Sequence, residues 1–101
     1  MAVAFVEEFT IEGNDRTTGN YDAVNERLTH AEAPAGLIIH YAGFDEDAGV
    51  FRIVTLWETR EQGQAYSDDH VMPAVRAVMG EGGGAPPTRE GVYELHNVVK
   101  P

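Results

Sequence analysis

Apolar residues along the chain first alternate, then recur every three to four positions, then alternate again, and these switches of period divide it into elements. "AVAFVEEFTI", residues 2 to 11, is rich in aromatic and β-branched residues and predicts a first strand. After the turn residues of "EGNDRTTGN", Tyr21, Val24 and Leu28 fall at i, i+3 and i+7 and predict a helix, with Thr18 or Asn20 placed to accept a bond from an unpaired amide at its start. Pro34 disfavours helical geometry at Ala33, so the helix ends near "AEAPAG". "GLIIHYAGF" and "GVFRIVTLWE" flank the acidic tetrapeptide "DEDA" in the pattern of a hairpin. Thr59 and Gln62 have the spacing of a capping box, in which the hydroxyl and the amide satisfy each other's end-of-helix donors, and they open a second helix. Pro73 removes a backbone donor, predicting a kink or a second short helix ending at Gly80. "GEGGGAPP" reads as a loop, and "GVYELHNVVK" as a closing strand.

The order β, α, β, β, α, β has no repeat and no dividing linker, so residues 1 to 101 form one domain. It predicts an α+β fold of the ferredoxin-like kind: a four-stranded antiparallel sheet with both helices on one face. With "DEDA" as a four-residue loop, Phe44 would lie opposite Gly49, Ala42 opposite Phe51 and His40 opposite Ile53. One face then collects Leu37, Ile39, Tyr41, Val50, Val54 and Leu56, with Arg52 its only charge, and suits packing under helices. The other collects Ile38, His40, Ala42, Phe44, Phe51, Ile53, Thr55 and Trp57. That aromatic face is too apolar for water, and its expected cover is a second copy about a two-fold axis, closing two sheets into a dimeric α+β barrel with His40 inside.

Composition narrows the classes. Apolar residues are 43% and charged residues 24%, ordinary for a globular chain. Seventeen acidic against seven basic side chains give a formal charge of -10, which repels phosphate backbones and anionic lipid, so neither nucleic acid nor membrane is an expected partner. The chain has no cysteine, which excludes disulfides and thiolate metal sites and fits a reducing cytoplasm. "MAVAFVEEFT" lacks the basic start of a signal peptide, and no apolar run approaches the roughly 20 residues that span a bilayer.

"GLIIHYAGFDEDAGVFRIVTLWETREQGQAY", with a later "MPAV", resembles the small dimeric α+β barrel proteins grouped with the antibiotic biosynthesis monooxygenases, over most of the chain. The resemblance rests on the strand histidine, the "LWET" strand-to-helix junction and the element order. It implies a ferredoxin-like subunit, a homodimer, a cavity between sheet and helices, and for some relatives oxidation of aromatic polyketides without metal or flavin. Trp57 matches the tryptophan such enzymes place in the cavity, where an indole can stack a planar substrate and donate one hydrogen bond. The quinone-forming enzymes carry an asparagine four residues before that tryptophan; here the position is Ile53, which weighs against anthrone-type oxygenation.

Two readings of function follow. In one, a cytoplasmic homodimer binds a small apolar or aromatic molecule and acts as a cofactor-independent monooxygenase. His40 takes a proton from a phenol or enol, Trp57 and Thr55 line the site, and Tyr66 with His70, at i and i+4 on the second helix, orient polar substituents. In the other, the same dimer is a non-catalytic ligand-binding or interaction module, with His40 a buried neutral imidazole bonded to Thr55 or to water and Trp57 plain core. Arg52 is expected to pair with a carboxylate near a strand end, and Glu94 with His96 to form a polar pair on one face. His30, His40, His70 and His96 lack the spacing of a metal site, Ser67 lacks the glycines of a nucleophile elbow, and "GEGGGAPP" lacks the Lys-Ser/Thr of a phosphate loop, so no metal or other cofactor is expected.

Overall fold

A computed structural model describes residues 1–28, 33–80, 82, 84 and 86–101. Strand β1 (Val3–Thr10), helix α1 (Gly19–Leu28), strands β2 (Leu37–Asp45) and β3 (Val50–Trp57), helix α2 (Arg60–Tyr66), helix α3 (Met72–Met79) and strand β4 (Arg89–Glu94) follow in that order. The sheet runs β2-β3-β1-β4 with every neighbour antiparallel. This is the ferredoxin-like arrangement, with the helices on one face.

Local chemistry sets most boundaries. Thr18 stands just before α1, where its carbonyl accepts from the Asp22 amide at 2.8 Å and its hydroxyl donates to the Asp22 carboxylate at 2.9 Å. The predicted hydroxyl cap is thus turned round. The predicted end of this helix, about residues 29–32, falls outside the described residues. At α2 the Gln62 amide donates to Thr59 Oγ1 at 3.2 Å, and the Thr59 hydroxyl reaches Gln62 Oε1 at 3.1 Å, so the capping pair closes through side chains. Between α2 and α3 lies a π turn, Ser67–Val71, where the Met72 amide reaches back to the Ser67 carbonyl. The wider turn absorbs the donor that Pro73, in the first turn of α3, does not have.

Two predicted alignments shift. The hairpin loop is residues 46–49: Gly49 takes the left-handed conformation at φ +68°, its amide bonds the Asp45 carbonyl at 2.9 Å, and Asp45 Oδ1 accepts from Ala48 at 3.0 Å. Asp45 therefore faces Val50, Phe44 faces Phe51, Ala42 faces Ile53 and His40 faces Thr55, and a bulge between Leu37 and Ile39 adjusts the far end. The last strand ends at Glu94; after the Leu95 amide bonds the Ala2 carbonyl at 2.9 Å the chain leaves the sheet, so His96 makes no strand pair with Glu94.

The parity of the hairpin is as expected, but its orientation is reversed. His40, Phe51, Ile53, Thr55 and Trp57 look toward the helices: Tyr21 of α1 reaches His40 and Phe51, and Tyr66 of α2 meets Trp57. The face without a helix is the aliphatic one, with Ile39 50% exposed and Tyr41 53%. The expectation that a second copy seals the histidine face is therefore overturned, because the subunit's own helices lie there. Periodicity sorts side chains into two sets and does not say which set a helix will cover.

Helix packing explains that choice. Gly63 is buried in α2, and a methyl group there would come 2.7 Å from the Trp57 ring and 2.8 Å from Phe5. Glycine costs a helix about 1 kcal/mol against alanine. Here it lets α2 lie directly on two aromatic rings of the sheet. Ala74 of α3 is likewise small and 7% exposed. At Gly63 two sheet rings thus meet a residue with no side chain, while Tyr21 and Tyr66 meet Phe51 and Trp57 ring to ring.

Candidate functional site

The helix-covered side of β2 and β3 holds the polar centre. His40 Nε2 lies 2.7 Å from the Tyr21 hydroxyl, and His40 Nδ1 lies 2.9 Å from Thr55 Oγ1. Strand pairing brings Thr55 directly opposite His40, and α1 lowers Tyr21 onto both His40 and Phe51. The tyrosine ring meets the imidazole end-on through that hydroxyl, its plane 14° from parallel and the centroids 6.1 Å apart, and meets Phe51 edge-on at 5.5 Å. His40 remains exposed at its edge, but the partial desolvation of its ring lowers its pKa from the ordinary value, so the ring is neutral at neutral pH; burial, with Asp22 nearby, raises that of the Tyr21 phenol. Tyr21 gave a sequence signal only as one position of an apolar helical stripe. Its hydroxyl role needed the α1-to-β2 crossing.

Trp57 and Tyr66 form a second cluster. Their rings lie 5.4 Å apart, and His70 follows at 5.1 Å from Tyr66. Tyr66 and His70 do share a face, held together across the start of the π turn, and with Pro34, Ala35, Gln62, Ala65 and Asp69 they line a shallow depression of about 210 Å³. Trp57 itself is only 3% exposed, beneath Tyr66 and Gly63. Reaching its indole face requires Tyr66 to swing aside.

A further group on this side escaped the sequence reading. Glu7 of β1 stands opposite Ile53 on one side and Glu90 on the other, so it points to the helix side. Burial, and secondarily the charge of Glu90, push its pKa up. "AFVEEF" concealed this: either of two adjacent glutamates could have been the one turned inward. The other, Glu8, takes the helix-free face, where Arg52 binds it at 2.7 Å and Asp45 at 2.8 Å. Arg52 is thus paired with carboxylates, as its place on an aliphatic face required. Among the described residues no three His, Asp or Glu side chains converge as a metal site would need, and no helix is long and apolar enough to cross a membrane.

No protein-family model matches the sequence, and no curated protein does. The fold, however, has close counterparts among solved structures. A Chloroflexus aurantiacus protein described as an antibiotic biosynthesis monooxygenase superposes with a TM-score of 0.64 at 16% identity, over 99% of this chain and 98% of the other. SnoaB of Streptomyces nogalater, a cofactor-independent oxygenase, superposes at 0.61 and 18% identity, over 97% and 96%. Rv0793 of Mycobacterium tuberculosis gives 0.61 at 19%, over 99% and 98%. The fold is that of these monooxygenase-like proteins. At such identities the likeness extends to the scaffold, over nearly the full length of each chain.

Proposed function

We propose that the chain binds a small aromatic ligand on the helix side of its sheet and removes a proton from it, as a cofactor-independent oxygenase of this scaffold would. The observation that carries the reading is the neutral His40 ring, held at both nitrogens by Tyr21 and Thr55 on the covered face. Deprotonating an electron-rich phenol or enol gives a carbanion-like anion that can pass an electron to dioxygen. A neutral imidazole is the side chain suited to that first step. Tyr66 and His70 would hold the ligand's polar groups at the 210 Å³ depression, and Trp57 would stack on it once Tyr66 moves.

The working unit we propose is a homodimer joined through the helix-free face. Ile39, Tyr41 and Tyr93 are each about half exposed there, beside Leu56, Val6 and Val54. At about 25 cal/mol per Å², covering a few hundred Å² of such surface favours association by several kcal/mol before the cost of joining. Arg52 lies between Glu8 and Asp45 on that face, so each of the two carboxylates has an ion-pair partner and the cluster keeps one net negative charge.

A second reading has its own support. Ile53 stands where the quinone-forming enzymes resembled have asparagine, and Trp57 is closed off in the resting subunit, as suits a binding module without turnover. Oxygen uptake with hydroxylated anthrones decides between them. Turnover above buffer, lost in His40→Ala, is the expected result; ligand binding with no uptake favours the module, and a variant as fast as the wild type overturns His40 as the proton acceptor.

A further inference from the structure

The two bonds to His40 raise a difficulty for the simplest mechanism. A neutral imidazole has one N–H donor and one bare nitrogen acceptor, and both are occupied. No lone pair is left for a ligand hydroxyl. We propose that Tyr21, and not His40 itself, meets the acidic hydroxyl of the ligand, with His40 behind it as the store for the proton; this rests on the reading of His40 as the proton acceptor.

Only one hydrogen-bond arrangement makes that possible. Tyr21 donates its hydroxyl proton to the bare Nε2 of His40, and the Nδ1–H of His40 donates to Thr55 Oγ1. The Tyr21 oxygen then keeps a lone pair to accept from a ligand. On transfer, the ligand O–H bond breaks as a new Tyr21 O–H bond forms, and the proton Tyr21 already held moves to Nε2. The ligand becomes an oxyanion and His40 an imidazolium, Tyr21 ends as the phenol it began as, and the total charge is unchanged. Thr55 continues to accept from Nδ1–H and so stabilises the cation.

The ring contacts fit this use. Phe51 meets Tyr21 edge-on and holds the ring so that its hydroxyl points end-on at Nε2. Of charged groups, Asp22 on the same turn of α1 acts on Tyr21, while burial is what shifts His40. The relay also limits the substrate class. An ordinary phenol of pKa about 10 would give its proton to an imidazole near 6.5 only against a factor of more than roughly 10³. A hydroxyl conjugated to a ring carbonyl, or the enol of a 1,3-diketone, titrates near neutrality and is the class that fits.

The test is ¹⁵N NMR of the ring nitrogens in full-length protein labelled at histidine, titrated as wild type and as Tyr21→Phe. The phenylalanine keeps the edge-on contact with Phe51 and lacks only the hydroxyl. The expected wild-type spectrum shows neutral His40 protonated on Nδ1, with Nε2 bare. In Tyr21→Phe the His40 midpoint should rise, because a bond that favoured the neutral ring has gone. A wild-type ring protonated on Nε2 overturns the proposal, since Tyr21 is then the acceptor and cannot pass a proton on. A midpoint that falls in the variant, or does not move, overturns it as well. The wild-type spectrum alone decides the matter if the variant folds poorly. Neither measurement uses ligand or turnover, so failure here leaves the oxygen-uptake test of His40 standing.

Discussion

The two faces of the sheet are made from alternate residues of the same strands and meet opposite neighbours. Toward the helices, β2 and β3 present His40, Phe44, Phe51, Ile53, Thr55 and Trp57, each large or polar, and the helices answer with one tyrosine hydroxyl and with small residues at close approach. Away from them the strands present Ile39, Tyr41, Val54 and Leu56, flat and mostly aliphatic, with one ion-paired cluster in which Arg52 bridges Glu8 and Asp45. A rugged surface with unpaired polar groups needs a cover that is covalently tethered and can be shaped residue by residue. A smooth aliphatic one can be covered by a copy of itself. In the function proposed, the chemistry would then lie inside the subunit and the association outside it.

The largest effect should come from making the smooth face polar. Ile39→Asp with Tyr41→Asp puts two unpaired carboxylates where a symmetric interface would bury them, and leaves every described helix contact alone. Unpaired buried charge costs roughly 3 to 5 kcal/mol, so dimer dissociation should rise by about 100-fold or more. Sedimentation equilibrium over a dilution series reads this directly. A wild type that is a monomer at high micromolar concentration removes the association half of the contrast, and leaves the helix-side site untouched.

On the rugged face the sharpest probe is one methyl group. Gly63→Ala improves helix propensity by about 1 kcal/mol but places Cβ within 3 Å of the Trp57 and Phe5 rings. Overpacking of this kind costs typically 1 to 3 kcal/mol, so the net expectation is a loss of up to about 2 kcal/mol in urea unfolding, with near-ultraviolet dichroism reporting the displaced tryptophan. Gly80→Ala makes the comparison sharper: it has open space around its Cβ but φ +83°, so its cost is backbone strain and the tryptophan signal should stay as it was. Equal effects on that signal would deny any special closeness between α2 and the sheet.

How much of this could be read beforehand follows from what each signal encodes. The hairpin and the α2 start were legible because alternation and the Thr59–Gln62 spacing are local. The register was misplaced because the loop uses Gly49 in a left-handed conformation, moving the turn one residue toward the C-terminus. The orientation of the faces was illegible from alternation alone: parity is unchanged when a strand is rolled over, and aliphatic residues look more like a core than histidine and threonine do. Gly63 held the missing clue, since a glycine amid a helical pattern asks what approaches it. The π turn has no propensity signature, and β4 ended early because "LHNVVK" continues the alternation without a breaker at the point where pairing with β1 runs out.

The smallest expected effect concerns Glu7, the carboxylate turned to the rugged side. Its folded pKa lies above the ordinary value, first because it is buried and then because Glu90 faces it. At pH 7 the charged form is therefore less comfortable folded than unfolded, and it detracts from stability. As pH falls through the raised folded pKa toward the ordinary 4.5, the folded state takes up the proton first and the penalty disappears. His40 acts with the reverse sign: with its folded pKa lowered, its contribution is present above the ordinary 6.5 and is lost as pH falls, because the unfolded chain protonates first. That loss is common to wild type and Glu7→Gln, so it cancels in their difference. Glu7→Gln should accordingly be the more stable protein at pH 7, with the gap closing as pH falls through the raised folded pKa of Glu7 toward 4.5, and Glu90→Gln should show a smaller gap of the same sign. Paired thermal melts at several pH values measure both. A gap that stayed constant with pH would mean Glu7 is solvated, and that the covered face is wetter along β1 than the contact of Tyr21 with His40 implies.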